Sequence, residues 1–357
     1  MKHYKIIAVS SLFLLIVACS TNHDVIPQNR KTRQLVDTVG FAHYPWQIDS
    51  LMHRFISAGF RPGKEKTGWK LAICPHDDYT YTGDMYSRLL QNVTAPNIIL
   101  IGVAHKAAAL GISDSLVFDT FTYWKGPWSE VQVSQARNKI YNHLKGKYAM
   151  LSDSLASVEH SLEALIPFLQ YYNRKLNIIP VLVPAMSPER MKECGIALGE
   201  AIKTTAGENR WTLGKDYAIV VTTDAVHYGN EDWNGRDMAK YGCDEQGNIM
   251  ALGHEMEILD RCFDGELNTE KIARFSDYTL QPDNYREYKW TWCGRYSVPV
   301  AMYTAYYLAG KGKLKGEIVD YSTSISRLHI PVDDLGMGRT AIATPCHWVG
   351  YAAVGYK

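Results

Sequence analysis

The chain has 357 residues, 46% of them hydrophobic, and is close to neutral, with 38 basic and 37 acidic residues. That length holds one large domain or two ordinary ones, with apolar residues enough for a sizeable core. No basic block or stripe is present, which argues against a nucleic-acid partner.

The N-terminus reads as a targeting segment. Lys2 and Lys5 precede Ile6 to Ala18, a mostly apolar run of 13 residues, too short for a comfortable membrane span. It ends Ile16-Val17-Ala18-Cys19, which resembles the bacterial lipobox, a signal cut before its cysteine, whose thiol then carries lipid. The competing reading is an ordinary secretory signal with a chance cysteine. The lipobox reading gives a signal peptide over 1–18, a polar tether over 19–38 and one α/β domain over 39–357. The body would then sit in the cell envelope, on the periplasmic or surface side, anchored to a bacterial membrane through Cys19 but not spanning it.

Within 40–60, Asp49-Ser50 reads as a helix cap, with Leu51, Phe55 and Ile56 on one apolar face. Lys70 to Cys74 is predicted as a buried strand, followed by Pro75-His76-Asp77-Asp78 and a helix starting at Asp84. Asn97 to Val103 is a second apolar strand, with His105 just past its end. Leu116 to Thr122 is a third, and Trp124 to Trp128 a turn-rich loop. The pattern predicts a helix over Ser157 to Arg174, with Ser157 as N-cap and His160 in the first turn. Leu176 to Val183 is a strand, Pro188 to Thr204 an amphipathic helix, and Tyr217 to Thr222 a strand leading into Asp224 and His227. The polar stretch Gly229 to Gly247 is a loop, with helices over Ile249 to Phe263 and Thr269 to Phe275. Cys293 opens a helix ending near Gly310, with Pro299 marking either a kink or a later start. Glu317 to Ser322 and Arg339 to Ala343 read as closing strands. This alternation predicts an α/β fold, a mainly parallel or mixed central sheet flanked by helices.

Histidines just past parallel strands sit where α/β folds place their chemistry. His76 and His105 follow different strands, and a helix N-terminus at Cys293 would favour its thiolate. Two imidazoles and a thiolate make an open three-ligand face, softer than two histidines and a carboxylate, so copper and zinc become as plausible as iron. His160 and His227 are proton-handling candidates, with Asp224 orienting one of them. Each of these residues also has a structural reading, as a satisfied core histidine or a capped loop. Asp77 and Asp78 are adjacent in an extended segment, so one of the two is expected to face the pocket. Glu159 and Glu163 read as capping or helix-surface charges. Tyr79, Tyr81 and Trp124 line the pocket or pack the core, and Ser161 beside His160 is no evidence of a dyad. There is no Gly-rich phosphate loop and no Gly-x-Ser-x-Gly elbow. Cys74 and Cys293 could instead form a disulfide, since the compartment permits one.

Taken together, Pro75-His76 with Tyr79 and Gly83, Ile101-Gly102 with His105, Glu159 to Glu163 running to Pro167-Phe168-Leu169, Asp224 with His227-Tyr228-Gly229, and Cys293-Gly294-Arg295 resemble the MEMO family. The family is also called AmmeMemoRadiSam system protein B. The resemblance implies a fold similar to class III non-haem, extradiol-type dioxygenases. It also implies a metal site at His76, His105 and Cys293, with copper or iron as the metal, and pocket residues at His160, Asp224 and His227. The family's reaction is unsettled. This chain departs from the family's pattern at Asp77-Asp78, commonly Ala-Gly, and at Tyr296, commonly histidine. The expected function is that of an exported metal-dependent oxidoreductase. The alternative is a non-catalytic protein binding a peptide or small ligand in the same cleft.

Overall fold

The computed structural model describes Met1, residues 30–63 and residues 68–357. Apart from Met1, the expected signal peptide lies outside the described residues, as does the tether up to residue 29. Among the described residues, thirteen strands form one sheet. They are β1 (Thr32–Arg33), β2 (Leu71–Cys74), β3 (Asn97–Val103), β4 (Leu116–Phe118), β5 (Tyr123–Trp124), β6 (Val131–Val133), β7 (Ala149–Leu151), β8 (Asn177–Val183), β9 (Tyr217–Thr222), β10 (His227–Gly229), β11 (Gly265–Glu266), β12 (Lys315–Thr323) and β13 (His347–Tyr356). The main path runs β1-β5-β6-β8-β3-β9-β2-β13-β12-β11, with β10 beside β13 and β4 joining β7 to β8. The centre, β6-β8-β3-β9-β2, is parallel, and β13, β12 and β11 extend it antiparallel. The fold is therefore α/β with a mixed central sheet.

The central strands are apolar at nearly every position because both sheet faces are covered. Ile99, Ile101, Ile219 and Val221 join a core with Leu198 and Ile202 of the helix Pro188–Asn209 and Val300 of the helix Ser297–Ala309. Their neighbours Ile98, Leu100, Ala218 and Val220 join a second core with Leu51 and Phe55, Met85 and Leu89, and Phe168. Alternate side chains thus feed opposite layers.

Several expected elements differ. The first helix spans Pro45–Ser57 with Tyr44 as N-cap, so Asp49 and Ser50 do not cap it, and Ile56 is 40% exposed. The helix expected from Asp84 begins at Tyr79. Residues 339–343 form no strand; the last long strand is β13 instead. The helix expected over Ser157–Arg174 is broken into Asp153–Ala156, capped by Ser152, a 3₁₀ turn at Glu163–Leu165, and Ile166–Tyr172. Glu159 captures the N–H groups of His160 and Ser161, and Pro167 fits only a first turn, so the helix cannot start earlier.

Residues 30–38, expected as part of a polar tether, are structured. From Arg30 the chain is built into the fold, with β1 paired to β5 and Arg33 1% exposed. Arg33 Nη1 meets Glu163 Oε2 at 2.5 Å, both side chains being 1% exposed, and its Nε donates to Ala156 O at 2.8 Å. Glu163 also accepts the N–H groups of Val36 and Asp37. Removing one partner of a buried pair strands the other. Arg33→Ala is expected to lower the unfolding free energy by about 3–5 kcal/mol in urea denaturation; a surface tether residue would change it by less than about 0.5 kcal/mol.

Candidate metal centre

His76, His105 and Asp224 each lie two residues beyond the end of a parallel strand: β2, β3 and β9. The pairing register aligns Cys74 with Thr222 and Ile101 with Val221, so the three residues emerge side by side at one end of the sheet. The His76 and His105 ring centroids are 5.2 Å apart at 78°. His76 Nε2 lies 3.6 Å from Cys293 Sγ, and one donor atom each from His76, His105 and Cys293 falls within 4.8 Å of the others. A tetrahedral ion bonded to sulfur at about 2.3 Å and to imidazole at about 2.0–2.1 Å separates those two atoms by roughly 3.6 Å. The group therefore fits a metal ion.

Cys293 is delivered from the far side of the chain. Val226 bridges to Trp292, and the indoles of Trp290 and Trp292 donate to Glu255 Oε1 at 2.6 and 2.8 Å. Glu255 Oε2 accepts from Val226 N and Tyr321 O–H. Gly294 N donates to Thr223 Oγ1 at 2.9 Å, and a Cβ at this glycine would stand 2.4 Å from Thr223 Cβ, so the turn closes only with glycine. The expected helix start at Cys293 is not found. Residues 293–296 form a turn, and the helix begins at Ser297, where Pro299 fits the first turn. Cys293 thus precedes the N-cap Tyr296 rather than occupying the helix N-terminus. Burial and then the charge of Asp224 push the Cys293 thiol well up, against the Asp224 N–H at 3.1 Å and the Thr223 hydroxyl at 3.8 Å. A thiolate here calls for a cation beside it. The expected alternative of a Cys74–Cys293 disulfide is overturned: both are free thiols.

The histidine side is organised by Glu159, expected as a capping or helix-surface charge. Its side chain is 1% exposed and accepts from His105 Nδ1 at 2.9 Å, His105 N at 2.6 Å, His160 N at 3.0 Å and Ser161 N at 3.1 Å. Burial alone would raise its pKa, but the His105 hydrogen bond, the His105 and His160 charges and the Ser161 N–H hold it at about 2. With Nδ1 engaged, His105 keeps Nε2 for a ligand, the usual carboxylate–histidine–metal arrangement. Glu159 and His160 also lie close to His105 as a second candidate donor group, but four accepted hydrogen bonds make Glu159 a positioning residue. His160 stacks on His105 at 4.9 Å and 14°. Its loop is pinned by Ser161 Oγ donating to Val103 O at 2.8 Å.

Asp224 orients neither His160 nor His227, contrary to expectation. Its Oδ1 accepts from His76 N at 2.9 Å and its Oδ2 lies 3.5 Å from His76 Nε2, so it braces His76. His227 Nδ1 instead meets Thr291 O at 3.0 Å, which leaves Nε2 as its basic atom. Burial, then the nearby histidines, keeps His76 neutral, the form that binds metal; burial also lowers His160 and His227.

The Memo-like protein family model matches residues 41–333, most of the chain and all of these motifs. The chain belongs to the Memo family. It is 29% identical over 282 residues to a MEMO1 family protein of Aquifex aeolicus, covering 78% of this chain and 86% of that one. It is 24% identical to family proteins of Nitrosopumilus maritimus and Thermococcus kodakarensis, over 78% and 77% of this chain and 87% and 86% of theirs.

Two cavities flank the Memo-family motifs. One, of about 360 Å³, is lined by His76, His105, His160, Asp224 and His227, with Phe41 and Trp233 as its rings. Cys293 opens on a second, of about 490 Å³, which His105 shares. Tyr79 is in the core, its hydroxyl donating to Ala164 O, Tyr81 donates to Ala341 O, and Trp124 packs under Arg33, so none of the three is among the cavity-lining residues. Both aspartates at the Asp77-Asp78 departure line the smaller cavity, because a helix starting at Tyr79 bends the segment that alternation assumed extended. Asp77 accepts from Tyr351 O–H at 2.6 Å, and Asp78 from Thr340 N at 2.5 Å. Burial and the charge of Asp77 push Asp78 up to about 8.

Glu159→Gln keeps the size and removes the charge behind His105. It is expected to weaken metal binding by about 10- to 100-fold, measured by competition with a chromophoric chelator. An unchanged affinity would show that Glu159 acts on the fold alone.

Proposed function

We propose that this Memo-family protein is a metal-dependent, dioxygenase-like oxidoreductase acting on a small organic substrate, with His76, His105 and Cys293 as ligands. The observation that carries the reading is the 3.6 Å contact of His76 Nε2 with Cys293 Sγ, closed into a three-donor group by a His105 ring already tied to Glu159. Two imidazoles and a thiolate suit copper or iron, with zinc as the third choice. A bound copper or iron ion would supply redox capacity and Lewis acidity next to the substrate.

The protein's own residues do the rest. His227, neutral and fixed through Nδ1, presents Nε2 to the smaller cavity and takes a proton from a substrate hydroxyl. His160, on the same cavity with 36% of its side chain exposed, passes protons to solvent. Asp224 holds the His76 ring in place, and Phe41 and Trp233 wall the cavity against water. A second reading, capture of a peptide or small ligand without turnover, is favoured by cavities of about 360 and 490 Å³, which suit such ligands.

Elemental analysis of the full chain, purified and then reconstituted with cuprous, ferrous or zinc salts, decides between them. Stoichiometric metal in the wild type, lost in Cys293→Ser and His105→Ala, is expected. No metal in the wild type would leave the ligand-binding reading, as would a His105→Ala protein that loses metal but keeps its ligand.

We also propose that Cys19 carries lipid and anchors the protein in the cell envelope. The support is the basic start, the apolar run Ile6 to Ala18 and the residues Val17-Ala18-Cys19. Labelled palmitate is expected to enter the wild-type protein in a bacterial host and not the Cys19→Ala variant; equal labelling would remove the anchor.

A further inference from the structure

Among the described residues three arginines are buried: Arg33, Arg137 and Arg295. Arg33 is paired with Glu163 and Arg137 with Asp119, each at hydrogen-bond distance. Among the described residues no carboxylate pairs with Arg295, although it is 7% exposed. Its guanidinium lies 3.4 Å from the Tyr288 ring centroid and 4.6 Å from that of Tyr296, so two aromatic rings pack against it. Of its five N–H donors, one on Nη2 reaches Arg286 O at 3.0 Å, and its Nε is buried with no acceptor. A buried charge without an anionic partner is costly, and proteins rarely keep one without use. Arg295 lines the 490 Å³ cavity together with His105 and Cys293.

We infer that this cavity is a binding site for a small-molecule carboxylate, whose two oxygens take the free edge of Arg295. The inference rests on reading the cleft as a substrate site, and it names the class of substrate. A guanidinium packed on aromatic rings offers an edge rather than a face, and an edge of parallel N–H groups matches two coplanar oxygens. Tyr288 and Tyr296 supply flat apolar walls for the rest of the molecule. Tyr296 is itself held by its hydroxyl donating to Tyr285 O at 2.7 Å. The carboxylate end is thereby fixed in the cavity that Cys293 and His105 also line.

Isothermal titration of the full chain with benzoate tests this, in metal-loaded and chelator-stripped protein. Benzoate is expected to bind the wild type, and Arg295→Met to bind it about 10- to 100-fold more weakly, the loss of a charge-assisted hydrogen bond. Circular dichroism and a melting curve check the variant's fold. If Arg295→Met does not fold, Arg295→Lys makes the same comparison, keeping the charge and removing the fork; it too is expected to bind more weakly. Equal affinity in the folded variant, no benzoate binding by the wild type, or tighter binding of inorganic phosphate than of benzoate would each overturn the carboxylate site. Arg295-dependent benzoate binding in a protein that takes up no metal would support the site and reject the metal centre, so the two failures are distinct.

Discussion

The structure depends on the parallel register of β8, β3, β9 and β2. Neighbouring strands lie about 4.8 Å apart, so residues equally far beyond their ends are brought together whatever their separation in sequence. His76, His105 and Asp224 are such residues, each two positions past its strand. Sheet pairing sets the positions of these backbones. Only Cys293 has to be brought in separately, and the Glu255 carboxylate holds the tryptophans that bring it.

Charge is the second constraint. Burial leaves His76 neutral and the Cys293 thiol protonated, and it raises Asp224 strongly. Glu159 is the exception, an ionised carboxylate held by four N–H donors directly behind His105. The group thus has the neutral His76 ring on one side, a protonatable sulfur on the other, and a fixed negative charge behind His105. A cation placed among them would relieve the raised acids, which is how a site specified by donor chemistry differs from a polar cluster that merely satisfies itself.

Much of the fold was legible in the sequence because its central strands are buried on both faces and read as unbroken apolar runs. Asn97–Val103 and Tyr217–Thr222 have the expected bounds. The candidate donors were legible for the same reason, since they stand just past such runs. Glu159 was not, because a glutamate ahead of an apolar helical pattern looks like a cap, and only the fold turns it toward His105. β13 was hidden by its glycines, which weaken strand propensity. At Gly355 a Cβ would stand 2.4 Å from the Trp69 ring, so tertiary packing demands the residue that obscured the strand. The Cys293 turn was misread because Pro299 marks a helix start as readily as a kink.

The segment from Arg30 to Asp37 has a consequence for assembly. Its partners lie far along the chain: Lys31 N donates to Thr122 Oγ1, 91 residues on, Thr32 Oγ1 to Glu130, 98 residues on, and Arg33 to Glu163, 130 residues on. During synthesis this stretch emerges early yet cannot dock until the polypeptide through Glu163 has followed it. The Glu159 loop that backs His105 therefore acquires its outer support late, through contacts of high sequence separation that form slowly. The front of the polypeptide acts as a latch, closing over a nascent centre whose inner donors are already in register.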